Sequence, residues 1–486
     1  MSSSKMDGRS YSPVETENTG GAVAQKIRFP GLDLTLTGNI AASFLSWFEK
    51  YLIIFVVGGF FAGIGIASVS QPVVDQVDST INAFMGVYTF IAPAAIFLIL
   101  APSMSRLFAT RKMGNFGLLV IGGFGIRKLL AALWAIAFVF LVFQLPIAPQ
   151  GSVSMTDGVM QTLSSLGNMA STSPYFWAMY AAVAVAVVSG RMEKLTVALE
   201  KMMNVVERAG SFIMPLMPVF MFAIGAYVYG LPANVREQVG LDAAGASALL
   251  DINIWGWTTS PQTSFGMITI YVMGAVLTAI ACFMWQSVFL LLARAVEPRF
   301  SIKNYFTKYW IKVYPLLWAT SSEALATPLN LFLTKRYAPW IRNEIRRFAI
   351  GVGSYMDING TIINVFVLCT IVLLILGFNV SVIELLFLIP IVFLISYGVP
   401  GIPGELVLFA GPIATMLNIP EATLPIFLAV YLGLQLGLPD SFRTGSNSTD
   451  DYVVCILVNS LYEKRFAPEE ERQQRVLNEA MEVSVS

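Results

Sequence analysis

The chain has 486 residues, 56% apolar and only 12% charged, with equal numbers of basic and acidic side chains. That apolar share, far above a soluble domain's, points to a polytopic membrane protein, and zero net charge gives no footing to a nucleic-acid partner. No histidine occurs, so histidine-based catalysis and histidine metal ligands are excluded. The first 25 or so residues are polar and rich in Ser and Gly, a disordered tail without a signal-peptide core, so the first membrane helix would serve as an uncleaved targeting signal. A membrane helix needs about 20 mostly apolar residues. In chain order the candidate spans are Tyr51–Val69, Ala83–Ala101, Phe116–Leu145, Tyr175–Val188, Gly210–Tyr229, Phe265–Ala295, Phe348–Phe378 and Leu424–Tyr462. Cys282, Cys369 and Cys455 lie within apolar runs without CxxC spacing and read as packed thiols.

Charge sets the orientation. Lys26, Arg28 and Lys50 precede the first span, Arg106, Arg111 and Lys112 follow the second, and Arg191, Lys194, Lys201 and Arg208 follow the fourth. The intervening loops 70–82 and 146–172 carry no Lys or Arg, and loop 230–264 is net acidic. Six spans thus alternate with the N-terminus inside. Two further apolar segments do not fit as simple spans. Val313–Phe332 has basic residues on both sides and TSSEALATP in its middle, so it enters and leaves on the inner face as a hairpin. Val382–Leu417, interrupted by GVPGIPGE, lies in a stretch without Lys or Arg and enters from the outer face. Hairpins dipping from opposite faces, alternating with spans, are the signature of an inverted repeat with its site near the midplane.

The chemistry concentrates in four places. The stretch PDSFRTGSNSTDD, residues 439–451, stands between two apolar runs. On a helix turning about 100° per residue, Asp440, Arg443, Thr444, Asn447 and Asp451 share one face, while Ser441 and Phe442 point elsewhere. Arg443 offers a planar fork for a carboxylate, Asp440 can accept from an ammonium, and Asp451 and Asn447 carry oxygens suited to a hard cation. The bland reading is a buried Asp440–Arg443 pair with polar glue between helices. In the seventh span, GSYMDINGTIIN places Asp357, Asn359, Gly360 and Thr361 in mid-helix, so a local unwinding is expected there, its freed carbonyls suited to Na⁺ with Asp357 and Asn359. The alternative is a glycine kink among packed polar groups. The tips TSSEA and GVPGIPG supply hydroxyls, amides and close backbone approach.

In this order, TSSEA, DINGT, GVPGIPG and DSFRTGSN followed by Asp451 resemble the glutamate transporter and dicarboxylate/amino acid:cation symporter family, the sodium:dicarboxylate symporters. Motif by motif the resemblance covers residues 310–465, and before that it rests on span count and topology. It implies an all-α membrane protein of eight transmembrane helices and two re-entrant helical hairpins built as inverted repeats, assembled as a homotrimer in the plasma or inner membrane with both termini cytoplasmic. Residues 1–28 and 466–486 would be cytoplasmic tails. Residues 29–262 would be mainly a trimerisation scaffold of spans one, two, four and five. Span three at 116–145 and residues 263–465, with hairpins 313–333 and 382–418, would form a moving transport domain. By resemblance Arg443 holds a substrate side-chain carboxylate, Asp440 its amino group, and Thr444 and Asn447 its main-chain end. Thr361, the inner tip at Ser321, Ser322 and Glu323, and the outer tip at Ile402 and Gly404 close the pocket. One Na⁺ would sit on Asp451 with carbonyls at Gly353, Asp357 and Asn447, and a second on carbonyls near Tyr355, Ser396 and Val399. The implied activity is symport of an acidic amino acid or a C4-dicarboxylate with Na⁺ or H⁺, by an elevator-type motion and without an organic cofactor. A channel or substrate sensor on the same fold is the alternative, and an enzyme is not expected.

Three departures stand out. The family's usual Asn-Met-Asp-Gly-Thr reads Asp357-Ile-Asn359-Gly-Thr here, which puts a third cation site in question. Glu323 follows the tip serines as in dicarboxylate carriers. Arg127 and Lys128 fall inside the third apolar stretch and read first as its inner end, second as fixed cations beside an ion site.

Overall fold

The computed structural model describes residues 39–80, 115–148, 171–172, 174–189, 192, 194–199, 201–202, 216–239 and 249–466, together with isolated positions between 94 and 105. The last range lacks 255, 379, 398–405, 418 and 421–422. The described chain is mostly helical, as its long apolar runs require. The helices are α1 (Asn39–Ala67), α2 (Asn115–Phe143), α3 (Pro174–Ser189), α4 (Met217–Val239) and α5 (Ser264–Val296). They continue as α6 (Ile311–Thr320), α7 (Glu323–Tyr337), α8 (Asn343–Met356), α9 (Asn359–Ile375), α10 (Val382–Ile395), α11 (Val407–Met416), α12 (Leu424–Gln435) and α13 (Leu438–Arg465). The first helix begins well before the expected Tyr51. Loop 230–264, expected only as an acidic connection, contains an antiparallel pair, β1 (Ile252–Ile254) and β2 (Trp257–Thr259), turning at Gly256. The expected second span, the outer hairpin tip and both tails lie wholly or largely outside the described residues.

The helices are inside-out relative to a water-soluble bundle. On α5, Val272, Val276, Ile280, Met284, Val288 and Leu291 are exposed along one face, while Thr278, Gln286 and Trp285 are buried on the other. An apolar outer stripe of this length belongs against lipid. Two described helical stretches, Leu119–Phe143 and Ser264–Val296, are long and apolar enough to cross a membrane, and α12 with α13 makes a third as a bent pair. The α1–α4 pair packs backbone on backbone: a Cβ at Gly63 would lie 2.0 Å from the Phe222 carbonyl oxygen, and one at Gly225 2.2 Å from that of Phe60. Small residues at such a crossing are what permits the close approach.

The centre of the fold is α13, packed against α5, α6, α8, α9 and α2. Three breaks in helices meet around it. The first separates α6 from α7 at Ser321–Ser322, within the segment read as the inner hairpin. The second separates α8 from α9 at Asp357–Ile358, at the expected interruption. The third, between α12 and α13, bends the last expected span by 60° at Leu436–Gly437. Gly437 takes φ +83, a conformation a side chain resists, and any Cβ there would also meet the Tyr271 hydroxyl at 2.5 Å. That hydroxyl spans the break, donating to the Leu436 carbonyl at 2.9 Å and accepting from the Leu438 amide at 2.8 Å.

Tyr271→Phe therefore leaves one buried amide and one buried carbonyl without their partner. A loss of about 1–3 kcal/mol is expected, read as a lower midpoint in thermal or denaturant unfolding of the purified protein; an unchanged midpoint would show that water satisfies the break instead.

Candidate functional site

The hairpin between α6 and α7 turns through Ser321, whose φ of 46 and ψ of 33 put it in the left-handed region, and through extended Ser322. A non-glycine residue held there is strained and is kept by its surroundings. Ser321 Oγ lies 3.3 Å from Ser441 Oγ on α13, and the Ser322 amide donates to Thr320 Oγ1. Glu323 opens α7, buried at the tip. Two of the three tip residues expected to close a pocket, Ser321 and Glu323, are thus brought to α13, while Ser322 bonds back within the tip. Ser441, expected to point away from the site, meets the tip as well.

Arg443 is the hub. It is fully buried, and its Nε donates to Asp440 Oδ1 at 2.7 Å while Nη2 also contacts that oxygen. Its Nη1 donates to Thr361 Oγ1 at 2.9 Å and lies 3.9 Å from Glu323 Oε1. Asn447, one turn further along α13, donates to Glu323 Oε1 and to Thr361 Oγ1, each at 2.8 Å, and accepts from the Thr361 amide at 3.2 Å. Six residues expected at the substrate site, Glu323, Thr361, Asp440, Arg443, Thr444 and Asn447, are therefore gathered from α7, α9 and α13. Thr444 is buried there too, its hydroxyl turned back to the Asp440 carbonyl at 2.8 Å. The Asp440–Arg443 pair of the bland reading does form, but with Thr361, Asn447 and Glu323 on the same guanidinium and tip. Ile402 and Gly404 lie outside the described residues.

The expected cation ligands divide. Asp451 is fully buried, and no described residue donates a hydrogen bond to either carboxylate oxygen. Asp357, Glu323 and Asp450 all act on it electrostatically. Gly353 faces it so closely that a Cβ would sit 2.0 Å from Asp451 Oδ1. An unpartnered carboxylate among like charges, with backbone held against it, is a place where a buried anion asks for a cation. Asp357 Oδ1 accepts from Asn359 Nδ2, while Asp357 Oδ2 and Asn359 Oδ1 have no hydrogen-bond partner among the described residues. The amide of Asp357 donates to the Gly353 carbonyl at 2.7 Å, within the last turn of α8, where the Tyr355 backbone also lies. No three Cys, Asp or Glu side chains converge as a metal cluster among the described residues, so a cation here would rest on one carboxylate and amide oxygens. Ser396 stands at the end of α10, and Val399 lies outside the described residues.

Arg127 and Lys128 do not mark the end of a span. They sit in the middle of the continuous helix α2, almost completely buried, and point into the core. Arg127 donates to Asp450 Oδ2 at 2.6 Å, with its guanidinium 4.3 Å from the Phe289 ring centroid. Lys128 Nζ donates to the Ser396 carbonyl at 2.9 Å and lies 3.6 Å from the Tyr397 ring centroid. The first reading of these residues, the inner end of a span, is thus corrected: both are buried cations in mid-helix. Sequence reasoning gave no role to Gln286, which donates to Thr449 Oγ1 at 2.7 Å, or to the chain of Thr278, Asn364 and Gln435, linked at 2.9 and 2.8 Å. Polar residues two turns apart on α5, as Thr278 and Gln286 are, were the available signal.

Residues 248–461 match the sequence model of the sodium:dicarboxylate symporter family. The match spans all four motifs, and this part of the chain is similar to that family, the one the motifs resemble. Comparison with curated proteins gives no match.

Arg443→Ala removes one half of a buried ion pair and strands Asp440. A destabilisation of about 3–5 kcal/mol is expected. Arg443→Gln combined with Asp440→Asn should cost less than the two single changes added together, because the charges are coupled. A double-mutant cycle of unfolding midpoints measures it, and strict additivity would show that the two charges do not act on each other.

Proposed function

We propose that this chain, whose residues 248–461 match the sodium:dicarboxylate symporter family model, is a secondary active carrier that moves an acidic amino acid or C4-dicarboxylate with Na⁺. The observation that carries the reading is the self-paired Arg443–Asp440 couple placed beside Thr361, Asn447 and the Ser321–Glu323 tip. A ligand carboxylate takes the guanidinium edge that Asp440 holds through Oδ1, and can meet its fork with two oxygens where Asp440 uses one. Asp440 then needs a new donor, and an α-ammonium supplies one. A plain dicarboxylate leaves it without one, so the exchange favours aspartate or glutamate over succinate.

Glu323 and Asn447 close the inner tip over α9 and α13 through one hydrogen bond at 2.8 Å, which motion of the hairpin breaks and remakes. In this reading the hairpins at 313–333 and 382–418 are re-entrant from opposite faces, and eight spans cross the bilayer with both termini cytoplasmic. The transport domain of α2 and residues 263–465 slides against a scaffold drawn from 29–262, as a homotrimer, in an elevator cycle. Na⁺ is carried on Asp451 with the carbonyls of Gly353, Asp357 and Asn447. The orphaned carboxylate and the close Gly353 backbone fit such a passenger. The reversed order of Asp357 and Asn359 keeps one charge at the break of the seventh span.

Uptake into proteoliposomes under an imposed Na⁺ gradient tests the whole. Asp440→Asn is expected to weaken aspartate uptake at least tenfold more than succinate uptake; equal losses would make Asp440 a purely structural partner of Arg443. Asp451→Asn and Gly353→Ala should each raise the Na⁺ concentration for half-maximal uptake by an order of magnitude or more, the first by removing the charge and the second by displacing it. Uptake that ignores Na⁺ and follows a pH gradient would overturn the choice of coupling ion while leaving the substrate site standing.

A further inference from the structure

The carbonyl of Ser396 is one of those the family resemblance offers to a second Na⁺, and in this chain it is already taken. Ser396 ends α10, where the last carbonyls have no helical donor and the helix presents its negative end. The ammonium of Lys128 reaches it from α2 at 2.9 Å. The face of Tyr397 lies 3.6 Å from that ammonium at its centroid, and the charges of Asp357 and Glu323, on neighbouring elements, offset part of the cost of burying it. One turn before Lys128, Gly125 makes room for Tyr397, whose hydroxyl would lie 3.0 Å from any Cβ there. A helix C-terminus, an aromatic face and the charges of two carboxylates acting on a fully buried position make a cation site. A Na⁺ does not fit beside an ammonium already bonded to the carbonyl that would ligate it.

We propose that Lys128 is a tethered cation that fills this site permanently, so that Na⁺ has no place at the end of α10 and binds this chain at one site fewer. The inference extends the symporter reading above, because it assumes that a Na⁺ is carried elsewhere, on Asp451. A bare structural link from α2 to α10 would need only the hydrogen bond to Ser396; the two carboxylates and the aromatic face are features that select charge. The consequence is mechanistic. The charge at this position travels with the protein through every cycle, in both directions, and is never released to either side.

The test is a titration of the purified full-length protein with NaCl against choline chloride at constant ionic strength, followed by the thermal unfolding midpoint, without any transport. Wild type is expected to give a one-site response. Lys128→Ala opens the position, and its response should become two-site, the shift in midpoint per tenfold rise in Na⁺ roughly doubling. Lys128→Arg keeps the charge and should respond as wild type does. A Lys128→Ala protein with the wild-type Na⁺ response overturns the proposal. So does a wild type that already shows two sites, a result that needs no variant to fold. A wild type blind to Na⁺ whose Lys128→Ala variant gains a response supports the tethered cation and removes the Asp451 site instead. If both proteins are blind, Lys128 replaces nothing and the proposal falls.

Discussion

A charge placed where water cannot reach must find its opposite within the protein or bring one in. That constraint governs the middle of this molecule. Glu323, Asp357, Asp440, Asp450 and Asp451 are all fully buried, and facing them are Arg127, Lys128 and Arg443. Each is expensive to bury alone, by several kcal/mol even after relaxation. The fold answers by converging helices from distant parts of the sequence. Arg127 on α2 reaches Asp450 on α13, more than three hundred residues on, and Lys128 crosses to the end of α10. Arg443 and Asp440 neutralise each other within one turn of α13. Acids outnumber bases around the site, and Asp451 has no hydrogen-bond donor among the described residues.

The second consequence is that helices must break where the charges sit. A continuous helix satisfies all its own amides and offers none to a ligand. The breaks at Ser321–Ser322, Asp357–Ile358 and Leu436–Gly437 meet around α13 and free carbonyls and amides within the apolar interior. Each is held by something specific: Ser441 against the first tip, Asn447 against the start of α9, and the Tyr271 hydroxyl across the third. Irregular backbone within an apolar shell is tolerated only under such cover.

Much of this was legible in the sequence because polar residues inside apolar runs are rare enough to stand out. The face of α13, the tip at TSSEA and the break at Asp357 all announce themselves that way, and the structure brings Glu323, Thr361, Arg443 and Asn447 together. What escaped reading is what the apolar pattern hides. Arg127 and Lys128 looked like the basic flank that ends a span, since local sequence cannot tell a charge facing a headgroup from one facing a buried carboxylate on a helix hundreds of residues away. The bend at Gly437 sits in an apolar run where a lone glycine carries little signal, and its partner Tyr271 is one aromatic among many on α5. The β pair at 252–259 is too short for periodicity to reveal. Long-range pairing decides the first two.

The hydrogen bonds that complete this centre are also those that a substrate, in the proposed reading, would have to replace. Arg443 holds Asp440 and Thr361, and Asn447 holds Glu323 and Thr361, so no strong donor at this centre stands idle. Binding in such a place is an exchange of partners rather than the filling of a gap. The gain from each new contact is reduced by the contact given up, which keeps affinity moderate, while a ligand that cannot supply every replacement leaves a buried group unsatisfied and is rejected steeply. A carrier needs that combination: tight discrimination, with binding weak enough to reverse on the other side. Lys128 and Arg127 lie outside the exchange, bonded to Ser396 and Asp450 rather than to the Arg443 centre. They hold the surrounding charges constant, so that the balance at Arg443 and Asp451 alone can respond to what enters.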